Sequence, residues 1–187
     1  DKAVTVLTKG VEFLLKKNKV TYFKGTGSFE SQNKILIRDS EGKKTIIETE
    51  KTVISTGSTP VSLPGIEFDE KIIVSSTGAL TLEAVPKKMI VVGGGYIGLE
   101  MGSVFNAMGS NITIVEFMDS LLPGADKDLV RPLQKKLTVD FEKIYLSTKV
   151  VKIEPENNNL TVHFRKSNDE TFTESYDTVL ISIGRKP

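Results

Sequence analysis

The sequence predicts an α/β protein built around a parallel sheet, and three observations carry that prediction. Met89-Ile90-Val91-Val92 and Ile112-Thr113-Ile114-Val115 are short, nearly unbroken apolar runs, the pattern of strands covered on both faces. Gly93, Gly95 and Gly98 form G-x-G-x-x-G directly after the first run. The apolar stretch from Tyr96 to Met108 then reads as a helix joining the two runs. Together these specify a Rossmann-like βαβ dinucleotide-binding unit.

The other elements follow in chain order. Val4, Leu7, Val11, Leu14 and Leu15 recur at helical spacing opposite Lys9, Glu12, Lys16 and Lys17, so residues 2–18 predict an amphipathic helix. Val20 to Phe23 predicts a strand, closed by Gly25 and Gly27. Ile35 and Ile37, then Ile46 and Ile47 beyond the polar turn at Asp39 to Lys43, predict an antiparallel β-meander. Thr52 to Ser55 predicts a further strand running into the turn Thr56-Gly57-Ser58-Thr59-Pro60. Residues 59–70, with Pro60, Pro64 and Gly65, read as a linker. Ile72 to Val74 is a short β segment, and Ser76 to Leu82 a short helix capped by Ser75 or Ser76. Gly109-Ser110-Asn111 ends the βαβ helix, and the second strand finishes at Glu116. Asp126 to Leu137 predicts a helix capped by Asp126 or Asp128. Lys143 to Leu146, Lys149 to Glu154 and the alternating Leu160 to Arg165 predict strands, with a hairpin turn at Asn157-Asn158-Asn159. Thr178 to Ile183 predicts a last buried strand ending at Gly184.

Composition narrows the chemistry. Lys and Arg number 25 against 24 Asp and Glu, a net charge of +1 that offers no basic face for nucleic acid. No apolar run nears the ~20 residues that span a bilayer. Cysteine is absent, which removes disulfides, thiolate metal sites and thiol nucleophiles from these 187 residues. The single histidine, His163, alternates with apolar residues in a strand and has no companion ligands, so a surface or structural role is expected and no metal site. Ser75, Ser76 and Ser147 have no histidine partner for nucleophilic catalysis. Any chemistry must then come from backbone groups, carboxylates, hydroxyls or a bound cofactor.

The glycine motif has a physical reading. Gly93 lets the chain turn sharply after the strand, Gly95 lets a pyrophosphate approach the backbone, and Gly98 lets the helix pack closely, with Gly102 extending that bare face. The helix N-terminus offers free N–H groups and partial positive charge to phosphates. Glu116 lies 18 residues after Gly98, close to the ~20 at which an acid accepts the hydroxyls of an adenosine ribose. A carboxylate there repels a 2′-phosphate, and Phe117, Met118 and Asp119 supply no arginine to bind one. NAD(H) is therefore expected over NADP(H). A glycine turn serving packing alone is the alternative. Glu100, placed in the first turn of the helix, either complements the helix dipole or orients a nicotinamide. Tyr96 reads as a packing residue.

Five segments in order resemble the dihydrolipoyl dehydrogenase family, within the pyridine nucleotide–disulfide oxidoreductases. They are Thr56-Gly57-Ser58, Val74-Ser75-Ser76-Thr77-Gly78-Ala79-Leu80, Gly93-Gly94-Gly95-Tyr96-Ile97-Gly98-Leu99-Glu100, Val115-Glu116-Phe117 and Ile183-Gly184-Arg185. The resemblance runs through essentially the whole chain. It implies that Gly93, Gly94, Gly95, Tyr96, Ile97, Gly98 and Glu100 form the NAD loop and helix start, with Glu100 beside the nicotinamide and flavin. It implies further that Glu116 binds the adenosine ribose, Val150 packs by the adenine, and Gly184 approaches the nicotinamide. Gly27, Thr56, Gly57 and Ser58 would touch FAD, although as residues they read as ordinary turn positions.

The family also carries an N-terminal FAD glycine motif, a redox cysteine pair, a Gly-Asp flavin motif and a C-terminal domain with a His-Glu pair, none of which occurs in these residues. The resemblance thus implies a central portion. Residues 1–58 are expected to be a partial FAD-binding segment and residues 59–187 an NAD-binding domain. In a longer protein the implied activity is oxidation of protein-bound dihydrolipoamide through a redox disulfide and FAD, with NAD⁺ as acceptor. The implied partners are the lipoyl domain of a 2-oxo acid dehydrogenase complex and a second subunit of a homodimer, in the cytoplasm or, in a eukaryote, the mitochondrial matrix. Alone, the chain is expected to bind NAD(H) weakly or not at all and to lack dehydrogenase activity. Alternatives are part of a related flavin disulfide reductase or NADH oxidase, or a non-catalytic dinucleotide-binding module.

Overall fold

The computed structural model describes residues 2–156 and 159–187. The chain divides into two compact units, 1–55 and 56–187.

The first unit holds helix α1 (Lys2–Lys17) and strands β1 (Thr26–Ser31), β2 (Lys34–Arg38) and β3 (Lys44–Glu48), paired antiparallel in the order β1-β2-β3. Asp39 sets the β2–β3 turn, its Oδ1 accepting the N–H groups of Glu41 and Lys43 at 3.0 and 2.9 Å. Lys16 and Lys17 close α1 with charge that suits its C-terminal dipole. None of the described residues of this unit is buried. Two expected strands are absent: Val20 to Phe23 and Thr52 to Ser55 are irregular. A β-favouring sequence becomes a strand only when a partner completes its hydrogen bonds, and no ladder pairs either segment. The partner of β2 is instead the largely polar β1, with Gly27 opposite Ile37 and Phe29 opposite Ile35.

The second unit contains β4 (Thr59–Pro60), β5 (Ile73–Val74), α2 (Ser76–Ala79), β6 (Lys88–Val92), α3 (Tyr96–Ala107), β7 (Asn111–Val115), α4 (Lys127–Asp140), β8 (Lys143–Tyr145), β9 (Thr148–Glu156), β10 (Asn159–Lys166), β11 (Thr171–Tyr176), β12 (Thr178–Ile181) and β13 (Arg185–Lys186). A five-stranded sheet has the order β5-β12-β6-β7-β8, parallel throughout. Alternation along its strands divides the core. Met89, Val91, Ile112 and Ile114 pack with Leu99, Phe105, Leu137 and Phe141 on the helical side. Ile90, Val92, Val115 and Ile181 pack with Leu160, Val162, Phe164 and Tyr176 on the side of the antiparallel β11-β10-β9 sheet. Each such side chain taken fully from water contributes about 1.5–3 kcal/mol. This three-layer arrangement explains the unbroken apolar runs, since both faces of the central strands are covered.

A polar cluster joins the sheet edge to the meander. Glu174 accepts from Lys143 Nζ at 2.6 Å and from the hydroxyls of Tyr145 and Tyr176 at 2.7 Å. Burial raises the Glu174 pKa, but these donors overcome it and hold the carboxyl at about 2, against an ordinary value of 4.5. Burial, with the Glu174 carboxylate beside it, pushes the Tyr176 hydroxyl above its usual range.

Several boundaries differ from expectation. Residues 59–70 are not all linker, because Thr59–Pro60 pairs with β13. Helix α2 stops at Ala79, and β12 stops at Ile181. Helix α4 runs to Asp140, and its N-cap Asp126 makes no side-chain capping bond. Strand β11 went unforeseen: its alternating Thr171 to Tyr176 is polar on the open face and finds its place by pairing with β10. Of the expected Asn157-Asn158-Asn159 turn, Asn157 and Asn158 lie outside the described residues, and Asn159 opens β10.

Candidate functional site

A cavity of about 780 Å³ opens in the second unit at the carboxyl ends of β6, β7 and β12. Strand order reverses at this point: β7 lies on one side of β6 and β12 on the other, leaving a crevice where ligands of open α/β sheets bind. The volume lies within the range of small-molecule and cofactor sites.

The glycine turn forms the middle of the cavity. Gly93 has φ +110, and a Cβ there would stand 2.5 Å from the Ser182 carbonyl oxygen. Its N–H donates to the Val115 carbonyl at 2.9 Å, fastening the turn to β7. Gly98 lies beneath, where a Cβ would meet the Gly93 carbonyl at 2.2 Å and Ser182 Oγ at 2.6 Å. Gly95 is the reverse case: its backbone is extended, and a Cβ would meet nothing within 4 Å. Two glycines are thus required by the protein's own packing, while the third leaves room facing the cavity. Gly95 is also the N-cap of α3 and provides no side-chain cap, so the N-terminus of that helix is not closed by its own sequence. By contrast, α2 is capped by Ser75 Oγ, which accepts from the N–H groups of Thr77 and Gly78.

Glu116 ends β7 with only 8% of its surface exposed. Its Oε2 accepts the Gly94 N–H at 2.6 Å and its Oε1 the Met118 N–H at 2.8 Å. The carboxylate therefore ties the glycine turn to the loop after β7. Each oxygen keeps a further lone pair for an incoming hydroxyl. Its backbone carbonyl accepts from Thr148 N–H at 3.0 Å, which brings β9 to the same end.

Of the expected site residues, Gly93, Gly95, Tyr96, Ile97, Glu116, Val150 and Gly184 line the cavity. Gly94 acts through its bond to Glu116, and Gly98 lies under the turn. Glu100 does not line it. It is exposed, and as the fifth residue of α3 it lies beyond the first turn, which corrects its expected placement within that turn. Thr56, Gly57 and Ser58 are exposed in the second unit outside the cavity wall, and Gly27 lies in β1 of the first unit. Sequence reasoning placed none of Leu63, Ser76, Ser182 or Arg185 at the ligand site, yet all of them line the cavity. The position of Ser182 and Arg185 just beyond a buried strand at the switch point was the signal available. Tyr96 stands at the cavity with 66% of its surface exposed, so it is not a core packing residue. His163 lies 2.6 Å from Glu154 on the meander.

This arrangement suits an elongated anionic ligand with a hydroxyl-rich end. A family model described as pyridine nucleotide-disulphide oxidoreductase matches residues 2–187. The chain belongs to that family. Among curated relatives, it is 47% identical to the mitochondrial dihydrolipoyl dehydrogenase of Pisum sativum over the whole chain and 38% of the relative. It is 44% identical to the dihydrolipoyl dehydrogenase of Trypanosoma brucei brucei over the whole chain and 40% of the relative. It is 46% identical to a leghemoglobin reductase of Glycine max over the whole chain and 36% of the relative. The chain therefore spans about two-fifths of the length of these relatives. The flavoprotein disulfide reductase RclA of Escherichia coli is similar in structure, with a TM-score of 0.74 and 29% identity over the whole chain and 43% of RclA. LpdA of Mycobacterium tuberculosis shares the fold, with a TM-score of 0.86 and 20% identity over the whole chain and 41% of LpdA. This member of the pyridine nucleotide-disulphide oxidoreductases has no helix among its described residues long and apolar enough to cross a membrane.

Proposed function

We propose that this chain is the NAD(H)-binding portion of a dihydrolipoyl dehydrogenase. The observation that carries the reading is the pairing of an open Gly95 at an uncapped helix N-terminus with the nearly buried Glu116 at the next strand end. Pyrophosphate would lie against the N–H groups of α3, where the helix dipole favours anions. The ribose hydroxyls of adenosine would donate to Glu116, and the adenine would lie by Val150. The nicotinamide would then extend toward Gly184, between β12 and β13.

In the longer protein, dihydrolipoamide loses two electrons and two protons to become lipoamide, and NAD⁺ takes a hydride while one proton is released. FAD and a redox disulfide supply the carriage between them. We assign Gly27 and the Thr56-Gly57-Ser58 turn to the FAD side of that scheme, with residues 1–58 as a partial FAD-binding segment and 59–187 as the NAD-binding domain, although the compact units divide between Ser55 and Thr56. The partners proposed for that protein are a second identical subunit and the lipoyl domain of a 2-oxo acid dehydrogenase complex. The mitochondrial names of the plant relatives favour a mitochondrial matrix location if the source is a eukaryote, and the cytoplasm otherwise. The identity of 47% to a dihydrolipoyl dehydrogenase against 29% to RclA favours this activity over that of a related disulfide reductase.

Titration of NADH into the chain and into Glu116→Arg tests the reading. Reversing the charge is expected to weaken NADH at least tenfold. Unchanged affinity removes the ribose role, and dehydrogenase activity of the 187-residue chain with dihydrolipoamide and NAD⁺ removes the proposal that it is a cofactor-binding portion.

A further inference from the structure

The two ends of the cavity are built differently. The end at Glu116 rests on β7 and β9, which are anchored in the core through Val115 and Val150. The end at Gly184 rests on two strands of two residues each, β4 and β13, with Arg185 opposite Pro60 and Lys186 opposite Thr59. Both residues of β13 are exposed, and a ladder this short holds little by itself. Gly184 at its start has φ +131 and takes the Val61 N–H on its carbonyl at 3.0 Å.

Arg185 supplies what this ladder lacks. Its Nε donates to Ser58 Oγ at 2.7 Å and its Nη2 to the Ser58 carbonyl at 2.5 Å. Nη1 lies 3.5 Å from Ser76 Oγ, on the first residue of α2. A planar guanidinium can make such a set of parallel bonds at once, whereas an ammonium is a single point. One side chain thus joins the Thr56-Gly57-Ser58 turn, the start of α2 and the segment carrying Gly184, and both Ser76 and Arg185 line the cavity.

We propose that Arg185 is a positioning residue for the nicotinamide end of the cavity, holding Gly184 and the Ser58 turn at a fixed separation. The inference rests on the NAD(H) reading above, and it separates the two halves of the ligand. The adenosine half depends on Glu116 and the glycine turn, and only the nicotinamide half depends on Arg185.

The test compares NADH with ADP-ribose, which keeps the adenosine and pyrophosphate and lacks the nicotinamide. Both are titrated to millimolar concentration into the chain and its variants, followed by NMR. Arg185→Met is expected to weaken NADH five- to twentyfold and ADP-ribose less than twofold, and Arg185→Lys to follow the same pattern. Equal loss of both ligands, loss of neither, or a Lys variant indistinguishable from the unaltered chain overturns the proposal. Ser58→Ala removes one acceptor while keeping Arg185, and guards against a variant that fails to fold. It should weaken NADH two- to fivefold with ADP-ribose unaffected, and the absence of that selectivity also overturns the proposal. Equal affinity of the unaltered chain for the two ligands overturns the role of Arg185 while leaving the adenosine site intact. If the unaltered chain binds neither, the same titrations are made with the full-length protein, where binding of neither ligand removes the NAD(H) reading and this inference with it.

Discussion

The two units of this chain use similar apolar patterns to different effect. In residues 56–187 the patterned strands lie between two covering layers, and Ile90, Val91, Ile112 and Ile114 are fully buried. In residues 2–55 an amphipathic helix and an antiparallel meander form, yet Leu7 is 71% exposed and Ile46 53%. Patterning of apolar residues is enough to specify an element. Burial requires that a second surface cover it, and only then does the pattern yield stabilisation of a few kcal/mol per side chain.

The sharpest way to test this contrast is to break the layer that covers the sheet. Gly98→Val places methyl groups where even a Cβ would lie 2.2 Å from the Gly93 carbonyl. Helix α3 must then lift from β6. The second unit is expected to lose cooperative unfolding in urea, an effect beyond about 4 kcal/mol. A normal transition in that variant would show that close approach of α3 is not what closes the core.

Ile114→Ala comes next, with an expected cost of about 2–5 kcal/mol read from the urea midpoint. The residue touches the helical layer from β7, an interior strand of the sheet. A loss near zero would put the second unit on the same footing as the first.

Acid sharpens the comparison further, because the Glu174 cluster joins layers of the second unit, whereas among the described residues of the first unit's meander the ion pair is the exposed Lys34–Glu48. The Glu174 carboxyl is depressed from 4.5 to about 2. Its contribution is therefore present above pH 4.5 and is lost as pH falls toward 2. Glu174→Gln should flatten the fall in urea midpoint between those pH values, and an unchanged slope would show that the cluster does not hold the layers together. The smallest effect is expected in the first unit. Leu7→Ala should change stability by no more than about 0.5 kcal/mol, and a cost like that of Ile114→Ala would show that the α1 stripe is covered after all.

Much of the second unit was legible because its signals are local. The apolar runs, the glycine spacing and the acid at the end of β7 lie within residues 89–116 and specify strand, turn, helix and strand in succession. The strands of the first unit were less legible, because Val20 to Phe23 has the composition of a strand and no ladder, while the polar β1 has a ladder. At the site, Glu100 was misplaced by helical counting alone: the helix begins at Tyr96 as expected, and position 100 is its fifth residue, past the first turn.

By itself, then, the sequence determined the βαβ unit, the two-sided burial of its strands and the acid that faces the crevice, all of which follow from periodicity and steric demands within a few residues. The tertiary structure alone decided that the Glu116 carboxylate also holds the Gly94 N–H, and that Arg185 reaches Ser58 across 127 positions of chain. Such contacts depend on which distant segments the layers bring together, and a hydrogen bond forms only where its donor and acceptor meet in the right direction.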